Sequence, residues 1–238
     1  MKIALIGYGK MGKAIEEIAI NRSHEIVLKI DEDNLSDFTK ENISNANVAI
    51  EFTGPHSAYE NVKKALSFGV PLVCGSTGWV EKLEEMKKLC ETRNGSFIYS
   101  SNFSVGVNIF FEINIKLAEL ITPHEDYEPQ VTEIHHTAKK DAPSGTAITI
   151  AEQILEKNKR KKSWVNHITD NADELEILSE RIDPAAGTHK VKYSSAIDDI
   201  EIIHTAHSRQ GFALGAVLAA EFINNKKGCF SMKDVLGL

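Results

Sequence analysis

The sequence predicts an α/β protein: a parallel sheet covered on both faces, joined to a smaller α+β domain with a mixed or antiparallel sheet. Three observations carry this. The first hundred residues alternate short apolar runs with amphipathic stretches. A glycine-rich turn follows the first run. The rhythm then changes near Ser104, after which strand-like runs follow one another closely.

The strand candidates of the first part are Lys2–Ile6, Glu25–Ile30, Val48–Phe52, Pro71–Cys74 and Ser96–Ser100. They are nearly continuous in apolar residues, as strands buried on both faces are. Helical patterns lie between most of them, at Met11–Ile20, His56–Phe68 and Val80–Thr92. Such alternation makes successive strands parallel. From Ser104 onward a long apolar helix is expected over Val107–Ile121, ending at Pro123. A strand at Gln130–His136 follows. Next is a helix opening near Ser144, with Ala147, Ile150, Ala151, Ile154 and Leu155 on one stripe. Strands are expected at Leu175–Ile182, Lys190–Ala196 and Ile200–Ala206, with short links. A last helix, Phe212–Asn224, is rich in Ala and Gly and suited to close packing against the first sheet.

Composition narrows the function classes. The 238 residues carry a net charge of −7, and "KRKK" at Lys159–Lys162 is the only basic run, read as a solvated surface. Nucleic acid is therefore not expected as a partner. No apolar run reaches membrane-spanning length, and "MKIALIGYG" is too short for a signal segment, so no membrane association is expected. Three scattered cysteines, Cys74, Cys90 and Cys229, fit a reducing compartment, and a cytoplasmic protein is expected.

"KIALIGYGKMG" sets Gly7, Gly9 and Gly12 between a strand and a helix in the pattern G-x-G-x-x-G. Glycine permits the tight turn and a close approach of backbone to a pyrophosphate, and the helix start offers N–H groups to its charge. Asp31, at the end of the second strand, can accept hydrogen bonds from an adenosine ribose. A tight turn without a ligand is the bland alternative. Glu32 rather than Arg follows Asp31, which favours NADH, while Lys10 and Lys29 leave NADPH possible. Small polar loops follow three further strands, at Glu51–Pro55, Cys74–Gly78 and Ser100–Gly106. Gly75, Ser76, Thr77, Ser101, Asn102 and Phe103 are candidates to meet the nicotinamide or its ribose through backbone groups.

"EIHHTAKKDAPSGT", residues 133–146, gathers proton carriers and anion binders. Alternation along a strand sends His135 and His136 to opposite faces, and no third ligand sits at zinc-like spacing, so no metal is expected. The N–H groups near Gly145 and Thr146, at a helix start, suit a carboxylate. Lys139, Lys140 and the histidines precede it. A carboxylate-rich substrate that undergoes proton transfer fits this segment.

These motifs together resemble the 4-hydroxy-tetrahydrodipicolinate (dihydrodipicolinate) reductase family over the whole chain. The carriers are "GYGKMG", "EFTGP", "GSTGW", "SNFSVGVN", "EIHHTAKKDAPSGT" and "HTAHSRQGFALGA". The resemblance implies a Rossmann-type dinucleotide-binding domain over 1–104 and 209–238. It also implies an α+β domain over 105–208 that binds a small dicarboxylate substrate and builds a homotetramer. The implied reaction is reduction by NAD(P)H with loss of a hydroxyl as water, in lysine and diaminopimelate biosynthesis. Carried over by motif, His135 is the acid/base and Lys139 the proton donor, while His136, Gly145 and Thr146 bind substrate carboxylates. Gly7, Tyr8, Gly9, Lys10, Met11, Asp31, Gly75, Ser76, Thr77, Ser100, Ser101, Asn102 and Phe103 line the cofactor site, with Arg209 and Phe212 closing it. The sequence departs from the family pattern in a glycine loop one residue shorter, in Lys10 for Arg, and in "RIDPAAGTH", where Thr188 replaces Glu. The alternatives are another nicotinamide dehydrogenase of similar build, or a non-catalytic dinucleotide sensor. Neither calls for the histidine–lysine segment.

Overall fold

A computed structural model describes all 238 residues and divides them into two compact units, residues 1–105 with 209–238, and residues 106–208.

In the first unit the chain runs β1 (Lys2–Ile6), α1 (Lys10–Asn21), β2 (Glu25–Ile30), α2 (Lys40–Ile43), β3 (Val48–Glu51), α3 (Ala58–Phe68), β4 (Leu72–Cys74), α4 (Leu83–Thr92) and β5 (Ser96–Tyr99). A 3₁₀ segment, Glu32–Asp37, follows β2. The apolar strands form one parallel sheet, with β2 at one edge followed by β1, β3, β4 and β5. Each of Ile3, Ala4, Leu5 and Ile6 is at most 1 % exposed, as a strand covered on both faces requires.

The second unit begins along α5 (Val105–Ile121). It continues through β6 (Glu128–His135), α6 (Gly145–Lys157), β7 (Ser163–Val165), β8 (Glu174–Arg181), β9 (Gly187–Ser194) and β10 (Asp199–Ala206). Its five-stranded sheet has the order β10-β9-β6-β8-β7 and is mixed. Consecutive β8 and β9 do not pair with each other, as short links would suggest. The earlier strand β6 lies between them, parallel to β8 and antiparallel to β9. The stripe of α6 (Ala147, Ile150, Ala151, Ile154) packs with Val131, Ile177 and Val191 from one sheet face.

The chain then re-enters the first unit with α7 (Gln210–Ile223), β11 (Gly228–Phe230) and α8 (Met232–Leu236). The short β11 extends the parallel sheet beyond β5. The small residues of α7 have a packing reason: a Cβ on Gly215 would lie 1.7 Å from the Phe103 carbonyl oxygen. No helix is long and apolar enough to cross a membrane.

Candidate functional site

In the first unit the carboxyl ends of β1, β2 and β3 frame a cavity of about 540 Å³, lined among others by Gly7, Gly9, Asp31, Thr53 and Ser57. Its glycines are dictated by space. Gly7 has φ +93°, and a Cβ there would meet the Phe52 carbonyl oxygen at 2.1 Å; one on Gly12 would meet the Gly7 oxygen at 2.3 Å. Gly9 has nothing within 4 Å, so its backbone faces open space at the start of α1. An exposed Asp31 shares the cavity. These residues fit a dinucleotide: an open helix start for its phosphates and a carboxylate for a ribose.

The other residues assigned to this site divide. Tyr8 turns its hydroxyl to Glu16, and Lys29 rests over the Tyr8 ring at 4.7 Å while pairing with Glu16 at 2.6 Å. Lys29 is thus paired with α1 while still partly exposed. Lys10 is exposed and Met11 partly buried among the apolar residues beside α1. Phe103 is only 1 % exposed and packs on Phe52 with centroids 5.7 Å apart, so its side chain belongs to the core. Ser76 is also buried and serves its neighbours instead of an open cleft: its hydroxyl accepts from Thr53 N–H and donates to Glu51. A Cβ on Gly75 would strike the Phe52 ring at 2.2 Å. The Ser100 hydroxyl donates to the Asn102 carbonyl at 2.7 Å, and Asn102 Oδ1 accepts from Ser104 N–H, so both hold their loop together. Thr77, Ser101 and Arg209 are exposed, Arg209 immediately before α7, with Phe212 half-buried on the first turn of that helix.

Glu51 was not anticipated. It is fully buried and accepts from the thiol of Cys74 (2.9 Å), the hydroxyls of Ser76 and Thr53, and Thr53 N–H. Its position at the end of a strand, one residue before the "FTG" turn, is the signal that was there to find.

In the second unit, β6 alternates buried and half-buried residues, which turns Val131, Glu133 and His135 to one face. His136 lies past the strand end, on the other side of the alternation, half-buried. Sheet register sets Ser179 of β8 and His189 of β9 on either side of Glu133, and Arg181 beside His135. A buried network results. Glu133 Oε1 accepts from the Ser179 hydroxyl at 2.7 Å and from Arg181 at 3.2 Å. Ser144 N–H is shared by both carboxylate oxygens at 3.1 Å. Oε2 lies 3.4 Å from His135 Nδ1 and 3.9 Å from His189 Nε2. The two imidazoles meet edge to face, centroids 5.2 Å apart.

Burial raises the Glu133 carboxyl, but the hydrogen bonds from Ser144 and Ser179 and the field of His135 outweigh it and hold it below the usual range. Burial dominates for the histidines. It lowers His135 against the opposing attraction of Glu133, and it takes His189 from 6.5 down to about 3. Donor atoms of Glu133, His135 and His189 lie within 4.8 Å of one another. Spacing along the chain concealed this grouping, since His189 arrives from another strand. Glu133 already receives N–H and O–H donors and a guanidinium, so the group is built as a hydrogen-bonded network and not as a vacant cation cage.

Past β6 the chain makes a turn in which Lys139 holds both oxygens of Asp141 at 2.8 Å. Lys140 is exposed. Ser144 caps α6: its hydroxyl accepts from Ala147 N–H and meets His189 Nε2 at 3.2 Å. Gly145 is exposed with nothing within 4 Å of where a Cβ would stand, and Thr146 is half-buried on the same turn. The start of α6 and the turn bearing Lys139 are thus tied, through Ser144 and Glu133, to the strand that carries His135.

Two family models match the chain: dihydrodipicolinate reductase, N-terminus, over residues 1–103, and dihydrodipicolinate reductase, C-terminus, over residues 106–236. A 4-hydroxy-tetrahydrodipicolinate reductase of Christiangramia forsetii is 50% identical over 240 residues, 99% of this chain and 98% of that protein. One of Methanoregula boonei is 39% identical over 195 residues, 80% of this chain and 75% of the other. Among solved structures, a dipicolinate-bound dihydrodipicolinate reductase from Paenisporosarcina sp. TG-14 matches with a TM-score of 0.77 at 22% identity, covering 98% of each chain. With both models matched and half of the residues shared with a full-length relative, this chain belongs to the dihydrodipicolinate reductase family.

Proposed function

We propose that this chain reduces 4-hydroxy-tetrahydrodipicolinate with NAD(P)H, giving tetrahydrodipicolinate and water in lysine and diaminopimelate biosynthesis. The carrying observation is one segment that joins a buried histidine at a strand end, a lysine turn and a serine-capped helix start. Gly7, Gly9 and Asp31 of the first unit would hold the nucleotide, whose nicotinamide would supply the hydride. In the second unit the carboxylates of the substrate meet His136, Gly145 and Thr146, where helix N–H groups favour negative charge. The hydride goes to C4 of the ring and the 4-hydroxyl leaves as water, so each turnover consumes one hydride and one proton. Lys139 provides the proton and His135 exchanges protons with the substrate. A substrate carboxylate competes with Asp141 for the Lys139 ammonium and draws it into the reaction.

NADH is the preferred cofactor in this reading, because Asp31 and Glu32 stand where a 2′-phosphate would arrive. The assembly is a homotetramer built on the second sheet; Ile203, 57 % exposed on β10, supports a covered surface there. The compartment is the cytoplasm, in keeping with three free cysteines.

The test is NADH oxidation, followed by absorbance, with freshly generated substrate. Lys139→Ala and His135→Ala should each lower kcat by about 10²–10⁴-fold, the range of general acid–base catalysis. NADH affinity should stay the same. Normal turnover by saturated variants, with NADH binding lost instead, overturns the assignment.

A further inference from the structure

Glu133 is the most completely enclosed charge in the second unit, at 0 % exposed, and none of the proposed catalytic roles uses it. A carboxylate so placed is costly unless its lone pairs are satisfied and its charge has a purpose. Its two oxygens are treated differently. Oε1 is committed to the Ser179 hydroxyl and the Arg181 guanidinium. Oε2 takes a share of Ser144 N–H and faces the two imidazoles. Ser144 Oγ accepts from Ala147 N–H and lies 3.2 Å from His189 Nε2, so its one hydrogen is shared between that nitrogen and the Glu133 carboxylate.

Of the two rings His135 comes closer to Oε2, 3.4 Å against 3.9 Å. Its Nδ1 is buried without a hydrogen-bond partner of normal geometry, with the carboxylate oxygen 3.4 Å away. Its Nε2 points the opposite way, toward Gly187, where an added Cβ would come within 3.2 Å of that nitrogen. A side chain at position 187 would crowd the nitrogen that glycine leaves accessible.

We propose that Glu133 is a positioning residue: through Oε2 it holds the proton of His135 on Nδ1 and so assigns proton exchange with the substrate to Nε2. This rests on the reading of His135 as the acid/base group. The contact shortens when His135 takes a second proton, since an imidazolium is drawn to the carboxylate. Catalytic hydrogen bonds are often long without substrate and tighten with it. The other charged groups facing His135 are Arg181 of β8 and Lys139 and Asp141 of the turn, with His189 of β9 behind it; His204 of β10 acts on His189. Lys139 and Arg181 disfavour the protonated ring, and Glu133 is the largest influence in its favour.

The experiment uses the full chain labelled with ¹⁵N in its histidines, with the His135→Ala spectrum identifying the His135 signals. Neutral His135 should show a protonated Nδ1 and a bare Nε2. In Glu133→Gln the His135 titration midpoint should fall by about one pH unit or more, the usual effect of removing an adjacent opposite charge. The limb of the kcat/KM profile that follows His135 should move with it, and NADH affinity should not change. A neutral wild-type ring protonated on Nε2 overturns the proposal, as does a folded Glu133→Gln with an unmoved midpoint. If Glu133→Gln does not fold, the wild-type tautomer alone decides. Full kcat in His135→Ala sinks the acid–base reading instead, and the tautomer still reports whether Glu133 holds the ring.

Discussion

The Ser76 hydroxyl donates to the buried carboxylate of Glu51 across 3.1 Å and accepts from Thr53 N–H at 2.8 Å, tying the loop after β4 to the loop after β3. Thr53 lines the cavity at the carboxyl ends of β1, β2 and β3, and its hydroxyl also accepts from Ser57 at 3.0 Å. The shape of that cavity wall therefore depends on a carboxylate beneath it. Ser76→Ala leaves Thr53 N–H with one acceptor fewer and Glu51 with one donor fewer. A loss of about 1–2 kcal/mol in stability is expected from the broken pair. NADH affinity should weaken several-fold while kcat at saturation stays near wild type. Urea unfolding and fluorescence titration with NADH measure the two effects. Weakened stability with untouched NADH affinity would reduce Ser76 to a folding role.

A second prediction concerns carboxylate capture at the start of α6. Thr146→Val removes a hydroxyl at nearly constant volume. KM for substrate should rise by roughly tenfold, equivalent to about 1.4 kcal/mol. Pyridine-2,6-dicarboxylate, a planar dicarboxylate, should compete with substrate. Competition against NADH in its place would assign the anion site to the first unit.

Acid stability gives a third. Burial, then the nearby His135, depresses His189 from 6.5 to about 3 in the folded chain. The unfolded chain therefore binds this proton first as pH falls. The stabilisation is fully present above about pH 6.5 and is lost as pH drops from there toward 3, by up to about 1.4 kcal/mol per pH unit. His135 and His204 are shifted in the same direction and add to the slope. Glu133, lowered below 4.5, extends the loss to more acidic pH. Urea midpoints between pH 7 and 4 should fall steadily in wild type and less steeply in His189→Gln. An identical slope in the two proteins would mean that the acid sensitivity lies in other groups.

The parallel sheet was readable because its strands are almost purely apolar and its first turn is spelled in glycine. The two ends of the fold hid differently. β11 is three residues long, too short for any periodicity, and exists because Gly228–Phe230 pairs with Ser96–Ile98. α8, closed by a capping box of Ser231 with Asp234, has only five residues and shows no periodicity either. In the second unit, reading His135 and His136 as a pair draws attention to adjacency, whereas a strand gathers residues two apart. Glu133 was thus open to inference from the sequence. Ser179, Arg181 and His189 were not, since they join it through register with β8 and β9, and β6 inserts between those two strands. Likewise nothing local signals that Lys29 is held by Glu16, which lies on α1.

That last pairing sharpens the question of cofactor choice. Asp31 and Glu32 stand at the cavity, with Asp31 accepting from Glu32 N–H at 3.0 Å and its own N–H held by Asn34 at 2.7 Å. The loop that would receive the 2′-position is therefore fixed with two carboxylates on it. Lys29, which would be the nearest cation by sequence, is ion-paired at 2.6 Å with Glu16. Exposed Lys10 remains to recover part of the repulsion that a 2′-phosphate would meet. A partly exposed charge contact of this kind is worth on the order of 1 kcal/mol, so NADH should be preferred only several-fold, and less at high salt. Glu32→Arg should shift the ratio toward NADPH by offering a bidentate partner to the phosphate. Lys10→Ala should move it the other way, and Glu16→Gln, by releasing Lys29, should raise NADPH use. The measurement is kcat/KM for both cofactors at two ionic strengths. If Glu32→Arg leaves the ratio where it was while Lys10→Ala abolishes NADPH use, the phosphate is read at the glycine loop and not at the end of β2.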